Sequence, residues 1–369
     1  MRVPFGSLAA DYRERRGVID AAIARVLSRG RFILGEEVES FERELAAYLG
    51  VPHVVACSSG TDAIALALAA SGAGPEDEVL LPANACVPVI AGVRLAGARP
   101  RLADVERATL TLSRATAERA LGTRTRFLLA VHLYGGLADV EGLRELARDR
   151  RLVFLEDCAQ SLGAVANGRR AGSLGSASAL SFYPTKNLGA YGDAGAVAAS
   201  EGPIAARARL LRQYGWTRRD FSEVEGRNSR MDELQAAILR AKLPFLEADN
   251  ARRREISQRY DEGLGDLPVS RPAVRAGTAP APHLYPILLS ARDALRAHLA
   301  ERGIETEIHY PVPLHLHPAY AFLGHRRGEF PVSEEASETV LSLPLYPTLA
   351  DDQVEAVISA VRDFFGVTP

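Results

Sequence analysis

Lys186 stands inside "SFYPTKNLGAYGDAGA", residues 181–196, where an apolar run breaks into a glycine-rich turn. Lysine side chains are mostly exposed, so a lysine at the end of an apolar run is either solvated surface or an amine reaching into a cleft. Two other stretches could do chemistry beside it. In "CSSGTDAIALALAASG", residues 57–72, the hydroxyls of Ser58, Ser59 and Thr61 flank Gly60 at the start of an apolar helix. A helix N-terminus offers free N–H groups and a partial positive charge, which suit a phosphate; Ser59 with Asp62 also reads as an ordinary capping pair. Asp157 closes the apolar run "LVFLED", so its carboxylate emerges from the interior of a sheet. Burying it is costly unless a cation or several donors meet it, and an acid accepting backbone N–H groups at a strand end has the same pattern.

The elements around these residues alternate. "EEVESFERELAAYLG", residues 36–50, places Val38, Phe41, Leu45, Tyr48 and Leu49 on one helical face, with Gly50 as its stop. Strand-length apolar runs follow at "HVVACSS", "EVLLP" (78–82), "RFLLAVHLYG" (126–135), "RLVFLEDCAQ" (151–160), "ASALSFYP" (177–184) and "AGAVAAS" (194–200), several of them separated by helical periods such as "DVEGLRELARDR". The pattern predicts an α/β protein with a large, mostly parallel sheet covered by helices on both faces. Ligands in such sheets bind beyond the carboxyl ends of the strands, where His132, Tyr134, Gln160, Ser181 and Tyr183 join the residues above. From about residue 231 a long helical stretch, broken at Pro244, leads into a smaller α+β lobe. There "LYPILLS" and "GIETEIHYP" read as strands, "RPAVRAGTAPAPH" as a surface loop and 351–365 as a helix. The expected division is 15–245 for the large domain and 246–369, with 1–14, for the small one.

Lys and Arg number 44 against 46 Asp and Glu, a net charge of −2 spread along the chain, so neither nucleic acid nor an anionic membrane is an expected partner. Cys57, Cys86 and Cys158 lack metal-site or CxxC spacing and read as reduced thiols. With no signal-like segment and no run of ~18 apolar residues, the expectation is a cytoplasmic protein. Neither a Walker sequence nor GxGxxG occurs. His309, His315 and His317 in "HYPVPLHLHP" could be read as metal ligands, but the intervening prolines suit a packing loop, and no metal is expected.

A phosphate cradle, a buried acid and a lysine at neighbouring strand ends meet the three needs of pyridoxal phosphate: anchor, ring-nitrogen partner and Schiff-base amine. The blocks "CSSGTDAIALALAASGAGPEDEVLLP", "VHLYG", "EDCAQSLGA", "GSLGSASALSFYPTKNLGAYGDAGAV", "NSRMDELQAAIL" and "IHYPVPLH", in this order along nearly the whole chain, resemble the DegT/DnrJ/EryC1/StrS sugar aminotransferases, fold type I enzymes with the aspartate aminotransferase fold. The resemblance implies that Lys186 bonds covalently to pyridoxal phosphate and that Asp157 partners its ring nitrogen. It also implies that Ser59, Gly60, Thr61 and the Ser181 hydroxyl hold the phosphate, that Gln160 lies by the ring and its phenolic oxygen, and that Asn228 reaches the phosphate from the neighbouring subunit of a homodimer. Cys86 in "PANAC" stands where relatives carry an aromatic ring stacked on the cofactor, and Ala194 stands where glycine is usual. The implied reaction is a ping-pong transfer of an amino group from L-glutamate, through the pyridoxamine form, to a nucleotide-linked keto sugar. "TEIHYPVPLHLHPAY" favours a dTDP-linked 3-oxo-6-deoxyhexose, with Tyr183, His309 and Tyr310 on hexose hydroxyls and Arg219 of the partner chain on the diphosphate. Alternatives are a 4-keto-sugar or inosose aminotransferase, or a regulatory protein that binds pyridoxal phosphate without turnover. A dehydratase of this fold would have histidine in place of Lys186.

Overall fold

The computed structural model describes residues 1–367. Seven strands form the main sheet: β1 His53–Cys57, β2 Glu78–Pro82, β3 Arg99–Ala103, β4 Thr125–Val131, β5 Val153–Asp157, β6 Ala177–Ser181 and β7 Gly195–Ala199, in the order β1-β7-β6-β5-β4-β2-β3. Only β7 runs antiparallel to its neighbours; the pairs from β6 through β5, β4 and β2 to β3 are parallel. Successive strand residues face opposite ways. Leu80 and Leu128 accordingly enter one buried cluster with Phe41 and Leu45, while Val79, Leu81, Phe127 and Leu129 enter another with Ile64, Leu68 and Ile90. Helices on both faces follow from strands that are apolar on both sides.

The sequence reading missed β3. Pro100 and two arginines disguise it, and its place at the sheet edge is where proline is tolerated. In the smaller body, Tyr285–Leu288 pairs antiparallel with Val340–Leu343, a strand the periodicity did not reveal. Its core gathers Tyr260, Ile287, Leu299, Leu343 and Val357. The strand expected in "GIETEIHYP" does not form as a regular strand: only isolated bridges join Ile304 to Val3 and Glu307 to Ser342. Pro311 and Pro313 deny the following backbone the N–H groups a continued ladder needs, and the chain turns toward the cleft instead. The loop at 271–283 is tied to the large body through Thr278–Ala279, paired with Val165–Ala166.

At Pro244 the helix breaks as its chemistry requires: Glu233–Lys242, a tight turn at Leu243–Phe245, then Leu246–Leu264. The helix Leu8–Arg29 lies against Glu233–Lys242, burying Ala22 and Val26 on Ala237. Among the described residues, no helix is long and apolar enough to cross a membrane.

Candidate active site

Asp157 is the last residue of β5, opposite Val131 of β4 and Ala179 of β6. It is 3% exposed. Its Oδ1 accepts the Ala159 N–H at 2.9 Å, and its other oxygen accepts no hydrogen bond from the described residues. Burial raises its pKa, against the opposing pull of the Ala159 N–H, Lys186 and His132. Lys186 follows β6 in a tight loop, its N–H donating to the Tyr183 carbonyl at 2.8 Å. A Cβ at Gly189 would come within 2.2 Å of the Pro184 carbonyl, so this turn admits only glycine. The next residue is clamped: Asn187 Nδ2 donates to Asn250 Oδ1 at 2.8 Å, and Asn250 Nδ2 donates to Leu162 O at 3.0 Å. Burial lowers the pKa of the Lys186 ammonium, and Cys86 and Asp157 oppose that shift.

The anchor end is built around two glycines. A Cβ on Gly60 would sit 2.6 Å from Ser181 Cβ, and one on Gly195 would sit 2.3 Å from the Ser59 carbonyl carbon. Helix Gly60–Ala70 is therefore seated directly on the ends of β6 and β7. Ser59 does cap it, accepting Asp62 N–H at 3.1 Å, while Ser58 Oγ donates to Asp62 Oδ2 at 2.5 Å. Capping uses the Ser59 side chain and leaves the Gly60 and Thr61 N–H groups without an acceptor among the described residues, beside the Ser181 hydroxyl. The cap and the anion site are compatible, not rivals.

A wall faces these groups. Gln160 Oε1 accepts Tyr134 N–H at 2.7 Å and its Nε2 donates to the Tyr310 hydroxyl at 2.8 Å. That hydroxyl also lies against the Cys86 thiol, whose pKa is pushed up to about 11 by burial and by Asp157. Tyr134 OH donates to His309 O at 2.5 Å. His309 Nδ1 meets Ser342 Oγ at 3.0 Å and its ring stacks on Phe5 at 5.7 Å. Burial, with Lys186 nearby, lowers the His309 pKa to about 4. A cleft of about 430 Å³ opens here, lined by Phe5, Lys186, His283, His309 and Tyr346 among others. An unspent oxygen on a buried acid, two free helix-start amides and a desolvated amine fit the pyridinium, phosphate and aldehyde of pyridoxal phosphate.

The sequence profile of the DegT/DnrJ/EryC1/StrS aminotransferase family matches residues 14–362. The chain belongs to this family. It is 46% identical, over 98% of its length and 96% of the relative's, to the dTDP-3-amino-3,4,6-trideoxy-alpha-D-glucose transaminase of Streptomyces venezuelae. The crystal structure of S. venezuelae DesV in complex with a ketimine intermediate superposes with a TM-score of 0.96, at 46% identity, covering 98% of both chains. NtdA from Bacillus subtilis, with bound cofactor PMP, superposes at 0.92, with 30% identity, covering 99% of this chain and 85% of that one. The protein is a sugar aminotransferase of the α/β aminotransferase fold, and its cofactor is pyridoxal phosphate.

Within one chain of this aminotransferase, Lys186, Asp157, Cys86, Gln160, His309 and Tyr310 come together, as do Gly60, Thr61 and Ser181. Three expected residues do not join them. Arg219 is exposed on a hairpin, 3.7 Å from Asp220; Asn228 is exposed, its Oδ1 accepting from Arg230 Nε at 3.1 Å; Tyr183 is 52% exposed. The imidazoles of the once-suspected metal segment have separate partners: Ser342 for His309, Glu334 for His315 and the Val312 carbonyl for His317. Another close group, His132, Glu156 and Cys158, is fully buried. Glu156 there already accepts from His132 Nε2 and from the N–H groups of Gly172, Leu174 and Gly175, which leaves it pinning a loop. Sequence reasoning overlooked Phe5 and His283, which reach the cleft from the N-terminus and from the proline-rich loop; neither carries a local motif.

Proposed function

We propose that this sugar aminotransferase takes its amino group from L-glutamate and delivers it to a dTDP-linked 3-oxo-6-deoxyhexose, working as a homodimer by a ping-pong mechanism. The observation that carries the reading is the convergence of a desolvated amine at Lys186, a buried acid at Asp157 and free amides at Gly60 and Thr61 at the carboxyl ends of the sheet's strands. The 46% identity to a dTDP-amino-trideoxyglucose transaminase supports the nucleotide and the sugar class. Residues 15–245 would hold the cofactor, and the remainder, with 1–14, would close the cleft over it.

Pyridoxal phosphate, when bound, supplies an electron sink for the carbon that loses its proton. The chain's own groups do the rest. Lys186 Nζ would hold the cofactor covalently and, once released as a free amine, would serve as the base that moves a proton; burial lowers its pKa toward that of a working base. The Asp157 carboxylate would hold the ring nitrogen and keep its proton. Gly60 and Thr61 N–H groups and the Ser181 hydroxyl would donate to the phosphate. Gln160 and Tyr310 brace one another and, with Cys86 as a neutral thiol, would line the ring's pocket. His309, neutral near pH 7 and bonded through Nδ1 to Ser342, has Nε2 left for a sugar hydroxyl.

The test is an assay of purified holoenzyme with L-glutamate against 3-oxo and 4-oxo dTDP-hexoses, with the aminated carbon located by NMR. Amination at C3 is expected. Product at C4 alone, or amination of an inosose in preference to both, would overturn the substrate assignment. A cofactor band near the visible edge that glutamate does not bleach would point to the regulatory binder instead.

A further inference from the structure

We propose that Arg253 anchors a carboxylate of the amino donor, a group that the donor carries and the dTDP-linked keto hexose lacks. The inference rests on the reading above that the Lys186 cleft accepts an amino-acid donor. Four cationic side chains line this cleft: Arg15, Lys186, Lys242 and Arg253. Arg15 pairs with Asp11 and, at 2.5 Å, with Asp249; Lys242 Nζ lies 2.8 Å from Asp11 Oδ2 and donates to Gly189 O at 2.8 Å. Arg253 differs. It is 5% exposed, yet no carboxylate of the described residues lies within ion-pair distance of it. Its Nη1 donates to the carbonyls of His283, at 3.2 Å, and Leu345, at 2.8 Å. Its Nε is buried without an acceptor, and its Nη2 donates to nothing among the described residues.

Asp249 stands one helical turn before Arg253 and still turns to Arg15. Glu307, the remaining acid on the cleft, is exposed and bonds none of the four cations. Burial lowers the guanidinium's pKa to about 10, with Asp249 and Asp11 opposing, so it stays charged at neutral pH. A buried charge without a counter-ion is costly, and a guanidinium with donors to spare matches the paired oxygens of a carboxylate or a phosphate; a carboxylate on the donor and the diphosphate on the sugar nucleotide fall in different half-reactions, which the test below separates. Its placement suits the reaction. The His283 carbonyl accepts from Arg253 while His283 Nδ1 donates to Asn187 Oδ1 at 3.1 Å, and Asn187 is the residue after Lys186. Burial, with Lys186 and Arg253 beside it, holds His283 neutral, which leaves Arg253 as the cleft's unmatched positive charge apart from the reacting lysine.

The two half-reactions separate this role from a structural one. In holoenzyme carrying Arg253→Gln, bleaching of the cofactor band should need about 30-fold more glutamate, the loss expected for charge-assisted hydrogen bonds. Arg253→Lys should recover part of it. The sugar half-reaction, run in reverse from the amino-sugar product, should stay within about 3-fold of wild type, since it involves no donor carboxylate. Equal losses in both half-reactions, or no loss with glutamate, would overturn the proposal. Should the variants fail to fold, the wild-type enzyme is compared with L-glutamate and its dimethyl ester, which keeps the amine and loses both charges. The ester should react about 30-fold less readily, and equal reactivity overturns the assignment. A wild type that glutamate does not bleach, while the amino-sugar product does, removes the donor reading itself.

Discussion

An acid buried with a single hydrogen bond is poorly stabilised as an anion, and Asp157 remains so until a cation is brought to its free oxygen. Under the proposed role of Asp157, the ring nitrogen of bound pyridoxal phosphate would be that cation once protonated. Asp157→Asn keeps the side chain's volume and removes the charge that favours the proton, so the variant should fold, retain cofactor on Lys186 and lose turnover by about 100-fold or more, the scale of a broken buried charge pair. Measuring kcat beside the pH titration of the bound cofactor checks this; a variant with wild-type kcat would remove Asp157 from the chemistry. Asp157, Lys186, Gly60 and Thr61 were legible because each sits where an apolar run ends, and a strand end in a parallel sheet points at a ligand. Phe5, His283 and Arg253 were not. They reach the cleft through contacts between segments far apart in sequence, and a lone phenylalanine, histidine or arginine announces nothing by itself.

Long-range partnership also decides how one element is held. The helix Glu36–Leu49 begins at Gly35 without a side-chain cap of its own. Its free donors are met by Glu233, on the helix Glu233–Lys242: Gly35 N–H donates to Oε1 at 2.8 Å, Val38 N–H to Oε1 at 2.9 Å and Glu37 N–H to Oε2 at 3.0 Å. The carboxylate is 3% exposed and lies at the positive end of the capped helix. Glu233→Ala leaves three buried N–H groups unmet and should cost about 3 kcal/mol, read as a lower melting temperature of the holoenzyme with little change in the cofactor spectrum. Glu233→Gln, which keeps an acceptor, should cost less; if Ala and Gln melt alike with wild type, the capping account is wrong. The cap could not be read from the sequence, because capping patterns are local and this one spans the chain. The same divide separates strands found from strands missed: β2, β4 and β5 are buried apolar runs, whereas β3 and Val340–Leu343 owe their conformation to the neighbour they pair with.

For the whole molecule, the buried imidazoles set the acid limit. His309, His283 and His315 all have pKa values below the ordinary 6.5, each chiefly through burial. The unfolded chain therefore binds more protons than the folded one in mildly acid solution. Stability should be full above pH about 6.5 and should fall as pH drops toward the His309 value of about 4; melting curves from pH 7.5 to 4 that stay level would contradict this. Assembly allows a sharper experiment. Arg219 and Asn228 are exposed and lie outside the Lys186 cluster of their own chain, which is the arrangement expected if a twofold axis carries them to the partner's site. Lys186→Ala chains should be inactive, and Asn228→Ala chains should hold the cofactor phosphate weakly. In a mixed dimer, the chain with intact Lys186 would receive an intact Asn228 from the Lys186→Ala chain, restoring one site of two. Refolding equal amounts of both variants together should then return about a quarter of wild-type activity, because half of randomly paired dimers are mixed and each has one whole site. If Asn228 served its own chain instead, every site in the mixture would lack either the lysine or the asparagine, and mixing would restore nothing.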